Sequence, residues 1–285
     1  MKSSNLIAHE GNIAQYTIDN NSKLNFIFSH ANGFNGRVYK PLLHKINNDY
    51  NIHTYDMRGH GDTTLKANPN NLKSWYSFRD DLMSVIKNMQ TPVVLSGHSM
   101  GATASLLVAL KRPDLVKKLI LIEPVILPLR YIVSYRFLQF IKLAHYVSPL
   151  ARNASIRRNS WDTKEEAIKY FREKKLFSKT SDEIVENYVE YGLKKETQYK
   201  LKCDPLWESA CFRLTSHEVW FDLKHIDIPV KIVLTPGSLV CNNISQSRIK
   251  KYIPHSDICF IDQSTHMLPL EKINQVSAEI NNFLE

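Results

Sequence analysis

Short apolar runs alternate with longer amphipathic stretches over the first 124 residues of the chain. Runs of Val, Ile, Leu and Phe are typical of buried strands, whereas apolar residues spaced three or four apart indicate helices. The predicted strands are Leu24–Ser29, Ile52–Tyr55, Val93–Ser96 and Leu119–Ile122. The predicted helices are Arg37–Ile46, Trp75–Met89 and Ala102–Lys111. Because strands and helices alternate, the pattern predicts an α/β fold with a mainly parallel sheet covered by helices.

The strand pattern returns near the end of the chain after a long interruption. The predicted elements there are the strands Val230–Leu234 and Ile258–Ile261 and the closing helix Lys272–Leu284. Residues 125–220 instead follow a largely helical pattern, are rich in Arg, Lys and aromatic side chains, and lack a clear strand. We therefore predict a core of residues 1–124 and 221–285 that is interrupted by a helical insertion at 125–220.

Composition and charge narrow the class of protein. With 43% hydrophobic residues among 285, the chain can bury a substantial core. The formal net charge is +9, but the basic residues are spread along the chain without a recognition motif, so we do not expect nucleic acid as a partner. No stretch reaches the roughly 18 uncharged apolar residues of a spanning helix, and the N-terminus lacks the apolar run of a secretory signal. We expect no membrane span and a cytoplasmic location, while the oligomeric state stays open.

The cysteines argue against a metal or disulfide framework. The chain contains four of them, Cys203, Cys211, Cys241 and Cys259. They show neither C-x-x-C spacing nor the density of a disulfide scaffold. We therefore expect reduced thiols and no structural zinc.

The strongest chemical signal is a serine between two glycines. Gly97, Ser99 and Gly101 form a G-x-S-x-G sequence directly after the strand Val93–Ser96 and directly before a predicted helix. A sharp strand-to-helix turn holds such a serine in a strained backbone conformation, and flanking side chains would collide with the neighbouring strand and helix. The hydroxyl of Ser99 would then project at the carboxyl end of the sheet, where open α/β sheets bind ligands. The alternative is a glycine-rich turn with a capping serine.

Further segments follow the order of a known superfamily. Residues 29–34 (SHANGF) follow a predicted strand, residues 56–62 (DMRGHGD) form a glycine-rich turn, and a histidine segment precedes the last helix. Together with the serine motif, they make the chain resemble the α/β-hydrolase superfamily over the core from about Asn12 to Leu284. The resemblance implies a mostly parallel central sheet with helices on both faces and a helical cap inserted after the sixth strand.

The resemblance also implies partners for the serine. The superfamily's catalytic histidine lies between the last strand and the last helix, where this chain has His266. The acid usually follows the seventh strand, but that loop contains no carboxylate here and Ser238 occupies the place. Some members carry the acid after the sixth strand, where this chain has Glu123. A carboxylate there could hold the imidazole in the correct tautomer. Asp257 and Asp262 remain alternatives, and Glu123 could instead have a structural role.

The resemblance places the oxyanion hole in two loops. It implies that two backbone N–H groups form this oxyanion hole. One belongs to Asn32, in the loop after the strand Leu24–Ser29, and the other to Met100, which follows the serine. Such donors stabilise the negative charge that develops on a carbonyl oxygen during attack. The side chain of Asn32 either faces the pocket or forms a turn within its loop.

A serine nucleophile predicts an acyl-enzyme. Dehalogenases and epoxide hydrolases of this fold carry an aspartate at the same place, so Ser99 argues against both. We expect Ser99 to attack an ester, thioester or amide carbonyl with His266 as the base, without a metal or organic cofactor. Aromatic residues of the insertion, among them Tyr131, Phe137 and Trp161, suggest an apolar pocket for a small to medium ester, although core packing also explains them. The alternatives are hydrolysis of a carbon–carbon bond by the same residues and a ligand-binding protein without turnover.

Overall fold

An eight-stranded sheet runs through the centre of the protein. The computed structural model describes residues 1–8, 10–89, 92–140, 148–214 and 219–285. Its strands are β1 (Lys2–Ala8), β2 (Gly11–Ile18), β3 (Leu24–Ser29), β4 (Tyr50–Tyr55), β5 (Val93–His98), β6 (Val116–Ile122), β7 (Ser160–Trp161), β8 (Leu193–Lys195), β9 (Tyr199–Leu201), β10 (Val230–Leu234) and β11 (Asp257–Phe260). Its helices are α1 (Lys40–Leu43), α2 (Tyr76–Ile86), α3 (Met100–Lys111), α4 (Leu129–Phe140), α5 (Pro149–Ser155), α6 (Lys164–Arg172), α7 (Asp182–Gly192), α8 (Pro205–Phe212), α9 (Val219–Asp222), α10 (Asn243–Tyr252), α11 (Leu268–Glu271) and α12 (Ile273–Leu284). The order of strands in the large sheet is β1-β2-β4-β3-β5-β6-β10-β11.

Helices cover both faces of this sheet. The strands β3 to β6, β10 and β11 pair in parallel, and β1 and β2 extend one edge in antiparallel register. Along β3, Ile27 joins the apolar core on one face, whereas Phe26 and Phe28 join the core on the other. The helices α2 and α3 pack on the first face, and α1 and α12 pack on the second. The predicted α/β fold with a mostly parallel, doubly covered sheet is confirmed.

The predicted elements of the core are present, with ends that differ by a few residues. The predicted helix Arg37–Ile46 is divided, because a 3-10 helix at Gly36–Tyr39 precedes α1. The hairpin of β1 and β2 was not predicted, and neither was α10. The reason is clearest for β1, which lies exposed at the sheet edge and lacks the alternation of a half-buried strand.

The segment predicted as an insertion, residues 125–220, is not purely helical. Residues 125–220 contain α4 to α8, but β7, β8 and β9 form a separate antiparallel sheet in the order β7-β9-β8. These strands are two or three residues long, too short for an alternating pattern to be recognised, so the expectation of an interval without strands was wrong. Trp161 is fully buried, whereas Tyr131 and Phe137 are more than half exposed. Within the described ranges, no helix combines the length and apolar character needed to cross a membrane.

The topology brings distant loops to one edge of the sheet. The strands β3, β5, β6 and β10 are parallel neighbours in that order. Their carboxyl ends therefore point the same way, and the loops that follow them meet. Those loops begin at His30, Ser99, Glu123 and Thr235. The loop after β11, which pairs with β10, contains His266.

Candidate active site

Ser99 lies at the turn between β5 and α3 in a rare backbone conformation. Its φ and ψ are 54° and −118°, a region that costs about 1–3 kcal/mol for a residue other than glycine. A Cβ at Gly97 would lie 2.6 Å from the backbone of Gly101, and a Cβ at Gly101 would lie 2.2 Å from the carbonyl oxygen of Ser29. The two glycines therefore allow β5, α3 and the end of β3 to approach closely enough to form this turn.

Two hydrogen bonds connect His266 to Ser99 and Glu123. The Nε2 atom of His266 lies 2.9 Å from Ser99 Oγ, and its Nδ1 atom lies 2.9 Å from Glu123 Oε2. Because a carboxylate only accepts hydrogen bonds, Nδ1 carries the proton and Nε2 accepts from the serine hydroxyl. The structure thus brings together the three side chains singled out in the sequence. Their order is that of a nucleophile, a base and an orienting acid.

Glu123 is buried at the end of β6 and is held by the neighbouring loop. Its φ is 48°, and only 1% of the residue is exposed. The N–H of Thr235 donates to Oε1 at 2.7 Å, and the hydroxyl of Ser238 donates to Oε2 at 3.0 Å. These bonds compensate for removal of the carboxylate from water. Ser238 follows β10, the seventh strand of the large sheet, so it supports Glu123 from the place where an acid was expected.

The two alternative carboxylates lie elsewhere. Asp257, the first residue of β11, pairs with Lys231 Nζ at 2.7 Å. Asp262 is exposed. Within the described part of the chain, neither is hydrogen-bonded to His266, which favours Glu123 as its partner.

The two predicted oxyanion donors have free backbone N–H groups. Among the described residues, neither the N–H of Asn32 nor that of Met100 has a hydrogen-bond acceptor. Met100 begins α3, and the first N–H groups of a helix lack partners within it. The carbonyl of Ala31 accepts from Phe34 N–H at 3.2 Å and from His30 Nδ1 at 2.7 Å. Since a planar trans peptide directs its C=O and N–H to opposite sides, these bonds also fix the direction of the Asn32 N–H.

Two buried histidines hold the loop after β3 as neutral rings. The N–H of Met57, in the turn after β4, donates to Nε2 of His30, and the N–H of Gly33 donates to Nε2 of His60. The Nδ1 atoms are then the donors, and each donates to a backbone carbonyl. Burial lowers the pKa of His30 to about 4 and the pKa of His60 to about 3. Both rings therefore stay neutral near neutral pH, as these hydrogen bonds require.

The insertion contacts the same loop from the other side. The side chain of Asn32 donates to the carbonyl of Glu208 at 3.0 Å, and the hydroxyl of Tyr188 donates to the carbonyl of Gly33 at 3.1 Å. Arg157 pairs with the Glu208 carboxylate at 2.6 Å and donates to the Tyr188 hydroxyl at 3.0 Å. The Asn32 side chain therefore bonds to the insertion. Sequence reasoning missed these partners because they lie in an interval without a motif.

The groups that meet at Ser99 are a hydroxyl, an imidazole, a carboxylate and backbone N–H groups. Within the described residues, no three or more His, Cys, Asp or Glu side chains are grouped so that they could hold a metal ion. The four cysteines are unpaired, and burial raises the pKa of the Cys241 thiol to about 12.

The sheet topology and the turn at Ser99 are those of an α/β-hydrolase. The sequence profile of the serine aminopeptidase family, S33, matches residues 22–273. The chain therefore belongs to this family of α/β-hydrolases, and the resemblance noted in the sequence is confirmed.

Individual relatives are similar over shorter stretches. A 2-(acetamidomethylene)succinate hydrolase of Mesorhizobium japonicum is 31% identical over 98 residues, which is 34% of each chain. An sn-1-specific diacylglycerol lipase of Mus musculus is 35% identical over 71 residues, which is 25% of this chain and 22% of the lipase. The chain thus matches about a third or less of the length of these curated relatives.

Solved structures match over nearly the whole chain. An E-2-(acetamidomethylene)succinate hydrolase has a TM-score of 0.81 at 17% identity and covers 99% of this chain and 98% of its own. A thioesterase domain from the curacin biosynthetic pathway has a TM-score of 0.80 at 17% identity, with coverage of 98% and 99%. At this identity the likeness establishes the fold alone.

Proposed function

We propose that the protein is a serine hydrolase that cleaves a carboxylic ester, or a related thioester or amide, through an acyl-enzyme on Ser99. The observation that carries the proposal is the continuous chain of hydrogen bonds from Ser99 through His266 to Glu123. A serine hydroxyl is a weak nucleophile near neutral pH, and a base within hydrogen-bond reach activates it. Membership in a hydrolase family agrees with this chemistry.

The geometry supports the following course of reaction. Ser99 Oγ attacks the carbonyl carbon while its proton passes to Nε2 of His266, and Glu123 stabilises the imidazolium that forms. The carbonyl oxygen becomes an oxyanion that accepts from the N–H groups of Asn32 and Met100. The imidazolium then protonates the leaving group, which departs and leaves the acyl group on Ser99. Water attacks this ester with the same imidazole as base, and the acid product leaves as Ser99 regains its proton.

We assign residues 125–220 as a cap that contributes to substrate selection. The contacts of Glu208 and Tyr188 with Asn32 and Gly33 support this role, because they join the insertion to the loop that carries an oxyanion donor. The substrate that we propose is a small to medium carboxylic ester. The names of the curated relatives, which include a succinate-derivative hydrolase and a lipase, agree with an acyl substrate.

A fluorophosphonate probe tests the nucleophile directly. We expect rapid labelling of Ser99, found by peptide mass spectrometry, and loss of labelling in Ser99→Ala. Ser178→Ala, which removes an exposed serine of the insertion, serves as the matched control and should label normally. Hydrolysis of nitrophenyl esters of increasing acyl length then measures the preferred acyl size. Absence of labelling in the folded wild-type protein would favour the ligand-binding alternative and contradict the proposal.

A further inference from the structure

His98, the residue before the proposed nucleophile, has partners that the reaction course does not use. Its Nε2 atom lies 2.8 Å from the carbonyl oxygen of His266, and its Nδ1 atom lies 2.7 Å from the hydroxyl of Tyr39. The same hydroxyl accepts from the N–H of Ala31 at 3.3 Å. Tyr39 and His98 are both fully buried. We call these two side chains the Tyr39–His98 bridge, because they join the loop after β3 to the loop that carries His266.

The two ends of the bridge determine the direction of each hydrogen bond. The backbone of Ala31 contributes an N–H, and the backbone of His266 contributes a carbonyl oxygen. Tyr39 must therefore donate to Nδ1 of His98, and Nε2 of His98 must carry the ring proton. Burial, reinforced by the nearby His266, holds the pKa of His98 well below its ordinary value, so the ring is neutral. This neutrality also keeps a second positive charge away from His266, whose ring centroid lies 5.0 Å from that of His98.

We infer that Tyr39 and His98 are positioning residues that hold the main chain of His266 in register with Ser99. The inference rests on the proposed serine hydrolase function. His266 lies on a loop between β11 and α11, outside regular secondary structure, yet its ring must meet both Ser99 and Glu123. His98 precedes Ser99 directly, so its bond to the His266 carbonyl ties the base to the turn that carries the nucleophile. Misplacement of a reacting group by about 1 Å can cost about a hundredfold in rate.

Removal of one hydroxyl tests the bridge. In Tyr39→Phe, Nδ1 of His98 loses its donor, so the ring is held by the hydrogen bond at Nε2 alone and can tilt away from the His266 carbonyl. We expect kcat on a nitrophenyl ester to fall about tenfold with KM within about twofold, since the loss concerns the transition state. Tyr55→Phe is the matched control, because it removes a buried tyrosine hydroxyl whose one hydrogen bond among the described residues is to Ser29 Oγ, at 3.1 Å.

Both variants should lose some thermal stability, but only Tyr39→Phe should lose kcat. Equal kcat values for the folded Tyr39→Phe and Tyr55→Phe variants would overturn the inference.

Two replacements of His98 separate its two nitrogen atoms. The amide of glutamine reaches the position of Nε2, whereas the shorter asparagine reaches only the position of Nδ1. We therefore expect His98→Gln to retain kcat within about fivefold, because it still donates to His266, and His98→Asn to lose about 10- to 100-fold. The same kcat in both folded variants would contradict the role assigned to the bond with the His266 carbonyl.

Nuclear magnetic resonance separates failure of the bridge from failure of the proposed function. Without labelling of wild-type Ser99 the hydrolase proposal fails, yet the bridge still predicts a neutral His98 with its proton on Nε2. The ¹⁵N shifts of the imidazole in the wild-type protein report this tautomer near neutral pH, and Tyr39→Phe should shift them. A proton on Nδ1, or an imidazolium, in the wild-type protein would overturn the bridge whatever the activity.

Discussion

Replacement of Glu123 by glutamine gives a sharp test of the proposed mechanism. The substitution keeps the size of the side chain but removes its charge and exchanges one acceptor oxygen for an NH2 donor. In the structure, Oε1 accepts from the N–H of Thr235, while Oε2 accepts from Ser238 and from Nδ1 of His266. The backbone N–H of Thr235 can only donate, whereas a serine hydroxyl also accepts.

These contacts determine which way the glutamine amide faces. Its oxygen must remain at the Thr235 N–H, because an NH2 group there would leave two buried donors facing each other at a cost of about 1–3 kcal/mol. The NH2 group then faces His266 and donates to Nδ1, which moves the ring proton to Nε2. In that tautomer Nε2 no longer accepts the proton of Ser99. We therefore expect Glu123→Gln to lower kcat by about a thousand- to ten-thousandfold, as the wrong tautomer does in a related triad.

The assay compares kcat on a nitrophenyl ester and the rate of fluorophosphonate labelling in three proteins. They are the wild type, Glu123→Gln and the control Asp262→Asn, which makes the same change on an exposed carboxylate of the His266 loop. Thermal unfolding establishes that each protein is folded. If Glu123→Gln keeps its unfolding temperature and its kcat stays within about tenfold of wild type, the tautomer argument is refuted and Glu123 leaves the mechanism.

Three further changes test other parts of the structure. Gly101→Ala places a methyl group 2.2 Å from a carbonyl oxygen of β3, so the free energy of unfolding in urea should fall by more than about 2 kcal/mol, and an unchanged midpoint would contradict this packing. Ser238→Ala removes one donor to Glu123 and should lower kcat about tenfold. A normal kcat would show that the N–H of Thr235 is enough to hold the Glu123 carboxylate in place. The depressed pKa values of His30 and His60, about 4 and about 3 against 6.5, mean that the unfolded chain binds more protons below about pH 6.5. As the pH is lowered from about 6.5 towards these folded pKa values, the free energy of unfolding should therefore decrease by about 1.4 kcal/mol per pH unit for each ring. Equal urea midpoints at about pH 7.5 and about pH 5 would contradict this expectation.

The core and the proposed nucleophile were predictable because both leave strong local patterns. The strand β5 is buried along its whole length and β6 is buried from Leu119 to Ile122, and their sequences contain the apolar runs Val93–Leu95 and Leu119–Ile122. The glycines beside Ser99 are required by close backbone contacts that the local turn imposes. The place of His266 followed from the order of segments that the chain shares with its superfamily. The polar edge strand β1 carried no such pattern and was missed.

The supporting hydrogen bonds were not predictable, since they depend on which loops the fold brings together. Tyr39 lies at the end of a short 3-10 helix and has no sequence feature that links it to His98, 59 residues away. Arg157 and Glu208 form a pair within the insertion and are separated by 51 residues. Tyr, Arg and Glu are common on surfaces, so only their burial and their shared loop reveal what they position.

The carboxylate that contacts His266 can be carried by the loop after either of two adjacent strands. The strands β6 and β10 are parallel neighbours, with Ile122 opposite Val233, so their carboxyl ends lie side by side. A carboxylate side chain on the residue after either strand therefore lies close to the same part of the site. In this chain the carboxylate that contacts His266 follows β6, and the loop after β10 contributes Ser238 as a donor to it. A second carboxylate in place of that serine would put two negative charges in contact in a buried space, which raises the free energy of both. A hydroxyl donor after β10 is thus a more favourable neighbour for Glu123 than a second ionised carboxylate.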